Sequence, residues 1–295
     1  MKIILTGSLG HIGKPLAIEL VQKGHDVTVI SSNNQKIADI DAIGAKPAIG
    51  TLEDVAFLTR TFAGADVVYT MVPPNDYFDH GLDLLAYYRR LGEHYATAVK
   101  GSGVRRVVNL SSIGAHLDKG NGILAGAHDL ARILDGLPSD VSITHMRPTS
   151  FFYNLNAYIH SIKTEGVIFS NHGETVIPWV APVDIASAVA DEITSDFTGR
   201  KIRYVASEEL TGEETARILG QVIGKPDFKW VMISDAAMLD GLLKAGMNPK
   251  IASGLVEMYS SLNTGLLSED YFRNRPVLGK TKLVDYAKEF TAFIR

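Results

Sequence analysis

Gly7, Gly10 and Gly13 recur at a spacing of three, directly behind the short apolar run Ile3–Leu5 and ahead of a segment whose apolar residues repeat at helical spacing. A strand, a glycine turn and a helix N-terminus in that order make a cradle for a pyrophosphate. One glycine permits the tight turn, one lets a phosphate approach the backbone, and one lets the helix pack against the strand. The first N–H groups of the helix and its positive dipole end meet the negative charge. Ser8, His11 and Ile12, inside the same turn, are assigned with the three glycines to dinucleotide contact. A phosphate-loop NTPase does not fit, because Lys14 is followed by Pro15 rather than by Ser or Thr.

An NAD-preferring site places an acidic side chain on the ribose about 20 residues past such a motif. Here the corresponding stretch runs Ser31-Ser32-Asn33-Asn34-Gln35-Lys36, with no acid before Asp39. Ser31, Ser32 and Asn33 can donate hydrogen bonds to a 2′-phosphate and Lys36 or His11 can add charge, which favours NADP while leaving NAD open. Ligands of open α/β sheets gather at the C-terminal ends of the strands. Thr70, Met71, Val72 and Pro73 end the fourth candidate strand and are assigned to the cofactor ribose. Ser111 and Ser112 end the fifth; both are cofactor candidates, and Ser111 is also a catalytic one. Phe151, Phe152, Tyr153 and Asn154, beyond the sixth strand, are assigned to the substrate, with helix–sheet core as the competing role for the aromatics. Tyr77, Phe78, Tyr87 and Tyr88 divide between the same two roles.

Positioning these residues requires alternating strands and helices. Strands are expected at Ile3–Leu5, Asp26–Ile30, Lys46–Ile49, Asp66–Met71, Arg106–Leu110 and Ser142–Met146, with crossover helices over Leu52–Phe62, His80–Lys100 and Ile123–Leu137. Beyond Pro148 the alternation fades. A helix is expected over Leu155–Lys163, strands over Gly166–Phe169, Val176–Val180 and Lys201–Val205, and a helix over Val183–Thr194. Mainly helical sequence follows, opened by a capping box from Thr211 to Glu214 and closed by Leu283–Ile294. The expected architecture is an α/β, Rossmann-type doubly wound parallel sheet over residues 1–153. A smaller, mostly helical C-terminal lobe covers 154–295, with segments around 176–205 returning to the first domain.

Several of these segments resemble the NmrA-like group of the atypical short-chain dehydrogenase/reductase superfamily. The resemblance rests on Thr6–Gly13, on Val107-Val108-Asn109-Leu110-Ser111-Ser112, on Met146-Arg147-Pro148 followed by Phe151–Leu155, and on Trp179–Ala186 with its Asp-Ile-Ala. It implies NAD(P)H binding, with quinone reductase-like activity in some members and nucleotide sensing in others. The superfamily's usual chemistry uses a Tyr-x-x-x-Lys pair on one helix face. None of the 11 tyrosines has a lysine four residues later. In the corresponding segment His128 and Arg132 stand at i,i+4, so His128 is the candidate proton donor, with an exposed structural histidine as the alternative.

The 295 residues carry 46% hydrophobic and 21% charged side chains, with a formal net charge of −4. No basic footprint for nucleic acid or an anionic membrane is present. With no cysteine, disulfides, thiolate metal sites and a cysteine nucleophile are excluded, and the nine histidines show no metal-binding spacing, so no metal site is expected. The first apolar run is too short for a signal peptide and no stretch reaches ~18 apolar residues, so a cytoplasmic location is expected. The expected function is hydride transfer from NADPH to a quinone-like or other conjugated carbonyl acceptor. The alternative is a non-catalytic redox sensor acting through a protein partner; a homodimer is a further partner reading.

Overall fold

The computed structural model describes the backbone of residues 1–294 and the side chains of residues 1–292; Arg295, the end of the expected C-terminal lobe, lies outside. The first half alternates strand and helix as the sequence predicts: β1 (Lys2–Leu5), α1 (Gly13–Gln22), β2 (Asp26–Ser31), α2 (Ile37–Ala42), β3 (Lys46–Ile49), α3 (Val55–Phe62), β4 (Val67–Thr70), α4 (Leu84–Ser102), β5 (Arg106–Leu110), α5 (Ala125–Asp135) and β6 (Ser142–Pro148). Helix α2 lies in a stretch that had no predicted element. The crossover helices start later than their apolar periodicity suggests, and the cause is capping. Asp54 accepts from Phe57 N at 3.0 Å and Asp83 from Ala86 N at 3.0 Å, which fixes the first turns of α3 and α4, and Gly103 at φ 77° ends α4. The predicted helix over 123–137 is shortened at its start by a 3-10 turn at Gly122–Leu124.

The second half runs β7 (Ser150–Phe151), a 3-10 turn (Phe152–Tyr158), α6 (Ile159–Thr164), β8 (Val167–Ser170), β9 (Ile177–Val180), α7 (Pro182–Thr194), β10 (Arg200–Val205), β11 (Glu208–Leu210), α8 (Gly212–Ile223), β12 (Lys229–Met232), α9 (Asp235–Lys244), α10 (Pro249–Asn263), α11 (Glu269–Arg273) and α12 (Leu283–Ile294). The capping box at Thr211 and Glu214 forms in full. The predicted helix over 155–163 splits into the 3-10 turn and α6, and the short strands β7, β11 and β12 are additions to the predicted set. None of the helices in the described residues is long and apolar enough to cross a membrane.

Seven strands form one sheet in the order β10-β6-β5-β4-β1-β2-β3, every pair parallel. The direction of winding reverses between β1 and β4, which opens a crevice at their C-terminal ends. One face of the sheet packs on α1 and α7 through Ile3, Leu5, Val29, Leu16, Ile185 and Val189. The other packs on α3, α4 and α5 through Ile4, Val68, Val107, Phe62, Leu91 and Leu130. Two smaller sheets, β11-β9-β7 and β12-β8, stand beyond the C-terminal edge with α8 and α12 behind them.

The edge strand β10 is held by Glu192 of α7, whose side chain is 1% exposed. Its carboxylate lies 2.7 Å from Lys201 Nζ and 3.4 Å from Arg203 Nη1, and accepts from Thr144 Oγ1 at 2.9 Å. Burial pushes this carboxyl upward, but the bonds from Lys201 and Thr144 and the charge of Arg203 outweigh it and hold it below its ordinary value of 4.5. Replacing Glu192 with Ala should destabilise the protein by about 1–3 kcal/mol in urea unfolding at neutral pH, because it removes the acceptor of the buried Thr144 hydroxyl and the shared partner of the partly exposed Lys201 and Arg203. A folded-state value below the unfolded one gives stability that is complete above 4.5 and is lost as pH falls through the folded value. The gap between wild type and Glu192→Gln should therefore narrow as the medium is acidified below that point.

Candidate active site

Between β1 and α1 the backbone takes the shape that the glycine spacing predicts. Gly7 has φ +89° and Ser8 φ 60°, and Ser8 N donates to Ile30 O at 3.0 Å, which ties the turn to β2. A Cβ on Gly7 would lie 2.3 Å from Met71 Sδ, and one on Gly13 would lie 2.2 Å from Ser8 O. These two glycines are required by the protein's own packing. Gly10 differs, since a Cβ there would meet nothing within 4 Å. Ile12 at the start of α1 carries no side-chain cap and the first turn has no acidic residue; Lys14 N donates to Gly10 O at 3.1 Å and Pro15 has no N–H, so what the terminus offers an anion is mainly the uncompensated positive end of the helix dipole. The turn therefore has room for a pyrophosphate beside Gly10, at the α1 terminus.

At the end of β2, Ser31 is buried, with its hydroxyl 3.0 Å from Ser8 Oγ and accepting from Asn33 N at 3.2 Å. Asn33 Oδ1 caps the following 3-10 turn, accepting from Gln35 N at 2.9 Å, while Ser32 is exposed. Lys36, a candidate for a 2′-phosphate, is placed instead against Asp39 Oδ2 at 2.9 Å, the i,i+3 partner that α2 supplies. His11 stacks on Tyr153 with ring centroids 4.9 Å apart.

A cavity of about 920 Å³ extends from Ile12 past the ends of β4, β5 and β6 to α9 and α10. Met71, Val72, Pro73, Ser111, Ser112, Phe151, Tyr153 and Asn154 all line it, so the structure brings most of the strand-end candidates to one wall. Tyr95 fixes that wall by donating to Met71 O at 2.6 Å, and Met71 N donates to Thr6 Oγ1 at 3.1 Å. Ser111 Oγ is buried without a hydrogen-bond partner, a state that calls for a ligand group. Thr70 lies behind the wall, where its hydroxyl donates to Asn109 Oδ1 at 3.0 Å; Asn109 Nδ2 in turn lies 3.1 Å from His145 Nδ1.

Two further sequence assignments, like Lys36 and Thr70, are placed away from the cavity wall. Phe152 is fully buried and stacks between Trp179 and Tyr286, at 6.3 and 5.8 Å, because the 3-10 turn rotates it away from its neighbours into the core. His128 is half-buried with Nδ1 3.0 Å from Ala115 O, and the α5 residues that line the cavity are Ala127 and Leu130, on the adjoining face. Its distance from the wall follows from the helical phase of α5.

Three features of the cavity were not singled out from sequence. Its lining adds Tyr158 and Tyr259 to the sequence candidates Tyr77, Tyr88 and Tyr153, making five tyrosines. Its far end is built from Met238, Leu242, Met247 and Met258, on or beside the helices α9 and α10. And among the described lining residues there is no Asp, Glu, Lys or Arg. Burial pushes the Tyr153 and Tyr158 phenols up to about 12 and those of Tyr88 and Tyr259 further in the same direction, so all stay protonated at neutral pH. Behind Tyr158 sit Ser170 and His172, buried polar residues at the end of β8; the polar run Ser170-Asn171-His172 directly after an apolar strand was the available signal.

Residues 7–153 match the family model described as NAD(P)H-binding. The chain carries an NAD(P)H-binding domain. This agrees with the resemblance to the NmrA-like, atypical short-chain dehydrogenase/reductase superfamily. Among curated relatives, the NAD(P)H azoreductase of Xenophilus azovorans is 23% identical over 259 residues, covering 88% of this chain and 86% of that protein. Among solved structures, a nucleoside-diphosphate-sugar epimerase from Staphylococcus aureus superposes with a TM-score of 0.79 at 18% identity over 98% of this chain and 100% of that one. An NADPH-dependent quinone oxidoreductase from Escherichia coli, solved with NADPH, gives 0.78 at 19% over 98% and 99%. Both superpositions establish a shared fold.

The contrast between the glycines of this NAD(P)H-binding domain predicts different outcomes for one added methyl. Gly10→Ala should leave the melting temperature within a degree or two of wild type, since its Cβ enters open space, yet weaken dinucleotide binding by about tenfold or more in calorimetry by intruding on the pyrophosphate. Gly13→Ala should lower stability itself by about 1–3 kcal/mol, because the clash is with backbone.

Proposed function

We propose that the protein is an NADPH-dependent oxidoreductase that reduces an extended, conjugated acceptor of quinone or azo type that bears no anionic group. The observation that carries this reading is the cavity's composition: about 920 Å³ lined by aromatic, methionine and leucine side chains and small hydroxyl or amide groups, with no charged side chain among the described residues. A nucleoside-diphosphate sugar needs cations or helix termini to hold its phosphates, and such a lining offers it none. A planar aromatic acceptor is suited to tyrosine faces and gains from apolar burial. The azoreductase name of one relative supports the same substrate class, as does the quinone oxidoreductase among the structural neighbours.

A bound reduced nicotinamide supplies the hydride, and the chain's task is to place the acceptor and exclude water. Gly10 and the α1 terminus hold the pyrophosphate; Met71, Val72 and Pro73 flank the ribose; Ser111 and Ser112 offer hydroxyls at the crevice. Phe151 and Tyr153, 5.0 Å apart between ring centroids, wall the opening toward His11. The preference for NADP rests on the hydroxyl and amide groups of Ser31, Ser32 and Asn33 and on the absence of an acid before Asp39.

The test is oxidation of NADPH and NADH against a panel of neutral naphthoquinones, azo dyes and nucleoside-diphosphate sugars, beside calorimetry with all four dinucleotides. The expected result is turnover with the aromatic acceptors, none with the sugars, and tighter binding of NADPH than of NADH. Dinucleotide binding with no acceptor reduced would replace the enzyme reading with that of a sensor.

A further inference from the structure

Hydride addition to a neutral acceptor leaves a negative charge on its carbonyl oxygen or azo nitrogen, and that atom must gain a proton. The described lining holds few groups able to give one: five tyrosines and His160, which is exposed to solvent. Among those tyrosines, Tyr158 is the one whose hydroxyl has a hydrogen-bond partner, and the partner is the first of two. Tyr158 OH lies 3.2 Å from Ser170 Oγ, and Ser170 Oγ lies 2.6 Å from His172 Nδ1. Ser170 is fully buried and His172 is 2% exposed. The imidazole is packed by two rings and the residue's backbone is tied as well. Tyr259 stacks on its face at 4.4 Å and 5°, the Trp230 ring meets it edge-on at 5.4 Å, and Trp230 Nε1 donates to His172 O at 2.5 Å. Three aligned, buried polar groups ending on a cavity residue are more than the packing of β8 requires.

We infer that Tyr158 protonates the reduced acceptor and that Ser170 and His172 are positioning residues for its hydroxyl; this rests on the reductase reading above. Burial pushes the His172 imidazole down to about 3, so it is neutral and carries one ring hydrogen. With that hydrogen on Nδ1, His172 donates to Ser170, Ser170 donates to Tyr158, and the phenol's own hydrogen is free for the acceptor. In the step itself the hydride's electron pair becomes the new bond to the acceptor, the displaced π pair rests on the acceptor's oxygen or nitrogen, and that atom takes the proton as the Tyr158 O–H bond breaks and a new O–H or N–H bond forms. The phenolate left behind accepts the hydrogen bond from Ser170, which stabilises the charge in a cavity with no cation to do so. Water entering as product leaves restores the phenol proton.

The experiment compares two acceptors with different proton demands. A neutral naphthoquinone needs hydride and a proton, whereas a triarylmethane dye cation becomes its neutral product by hydride alone. In Tyr158→Phe the ratio of quinone to dye turnover should fall by about a hundredfold with the quinone KM little changed, and in Ser170→Ala it should fall in the same direction by about tenfold. An equal loss on both acceptors, or no loss on either, overturns the assignment. A second measurement does not depend on turnover. With NADP⁺ bound, fluorenone binding should weaken about tenfold in Tyr158→Phe while fluorene, which lacks the carbonyl, binds as before; equal weakening or none overturns it. If wild type reduces neither acceptor, the reductase reading fails and the fluorenone comparison still decides whether Tyr158 donates.

Discussion

Asn248 holds the cover of the cavity to the rest of the molecule, and the site depends on it. Its amide nitrogen donates to Asp79 O at 3.0 Å and Leu82 O at 3.1 Å, its Oδ1 accepts from Lys250 N at 3.0 Å, and its own backbone N donates to Tyr77 O at 2.9 Å. One side chain, 3% exposed, thus caps α10 and pins the loop that carries Tyr77. Along the same helix, Gly254 packs against Gly122 so closely that a Cβ on Gly122 would lie 1.8 Å from Gly254 O. The two attachments fix α10 over the strand ends. Space between a fixed cover and a rigid sheet remains open, where loosely held apolar walls would close on each other to regain contact.

An apolar cavity built this way imposes conditions on what enters. A phosphate or carboxylate inside it would lose its hydration with no cation to replace it, which costs several kcal/mol per ion. The phosphates of a dinucleotide belong at the glycine turn, where N–H groups and a helix dipole do that work, so charge is confined to one end of the site and aromatic surface to the other. The same low polarity raises the stakes for any charge created by reaction, since a donor of a hydrogen bond is worth more there than in water.

Strand-by-strand alternation in the first 150 residues follows from local physics, so the sheet, the glycine turn and the strand-end residues were legible in sequence. Even the displaced helix starts trace to Asp54 and Asp83, residues visible as caps. The far wall was not legible. Tyr158, Ser170 and Tyr259 are separated by up to about a hundred residues of chain, and their meeting depends on how the short strands β8 and β12 pair and how α10 crosses them, neither of which leaves a periodic signal. Phe152 shows the limit at short range: it shares a run with Phe151 and Tyr153, and only the 3-10 geometry of residues 152–158 sends it to the core.

Helix α5 gives a reason for placing the proposed proton donor on that far wall. The superfamily pattern would put a tyrosine on the α5 face toward the crevice, but the α5 side chains that line the cavity here are those of Ala127 and Leu130, and Tyr88 of α4 packs so closely that a Cβ on Gly126 would lie 2.7 Å from its ring. The space that a tyrosine on α5 would occupy is thereby left to the cavity and to Tyr88. Enlarging the cavity on this side lets a bulkier aromatic molecule lie against the strand ends. Under the proposed reading, the hydroxyl groups at its opposite margin, on the 152–158 turn, are then the ones that a large acceptor would press against. A fold shared with a sugar-nucleotide epimerase and a quinone oxidoreductase can serve different substrates because its sheet fixes the dinucleotide end and leaves the opposite wall free to vary.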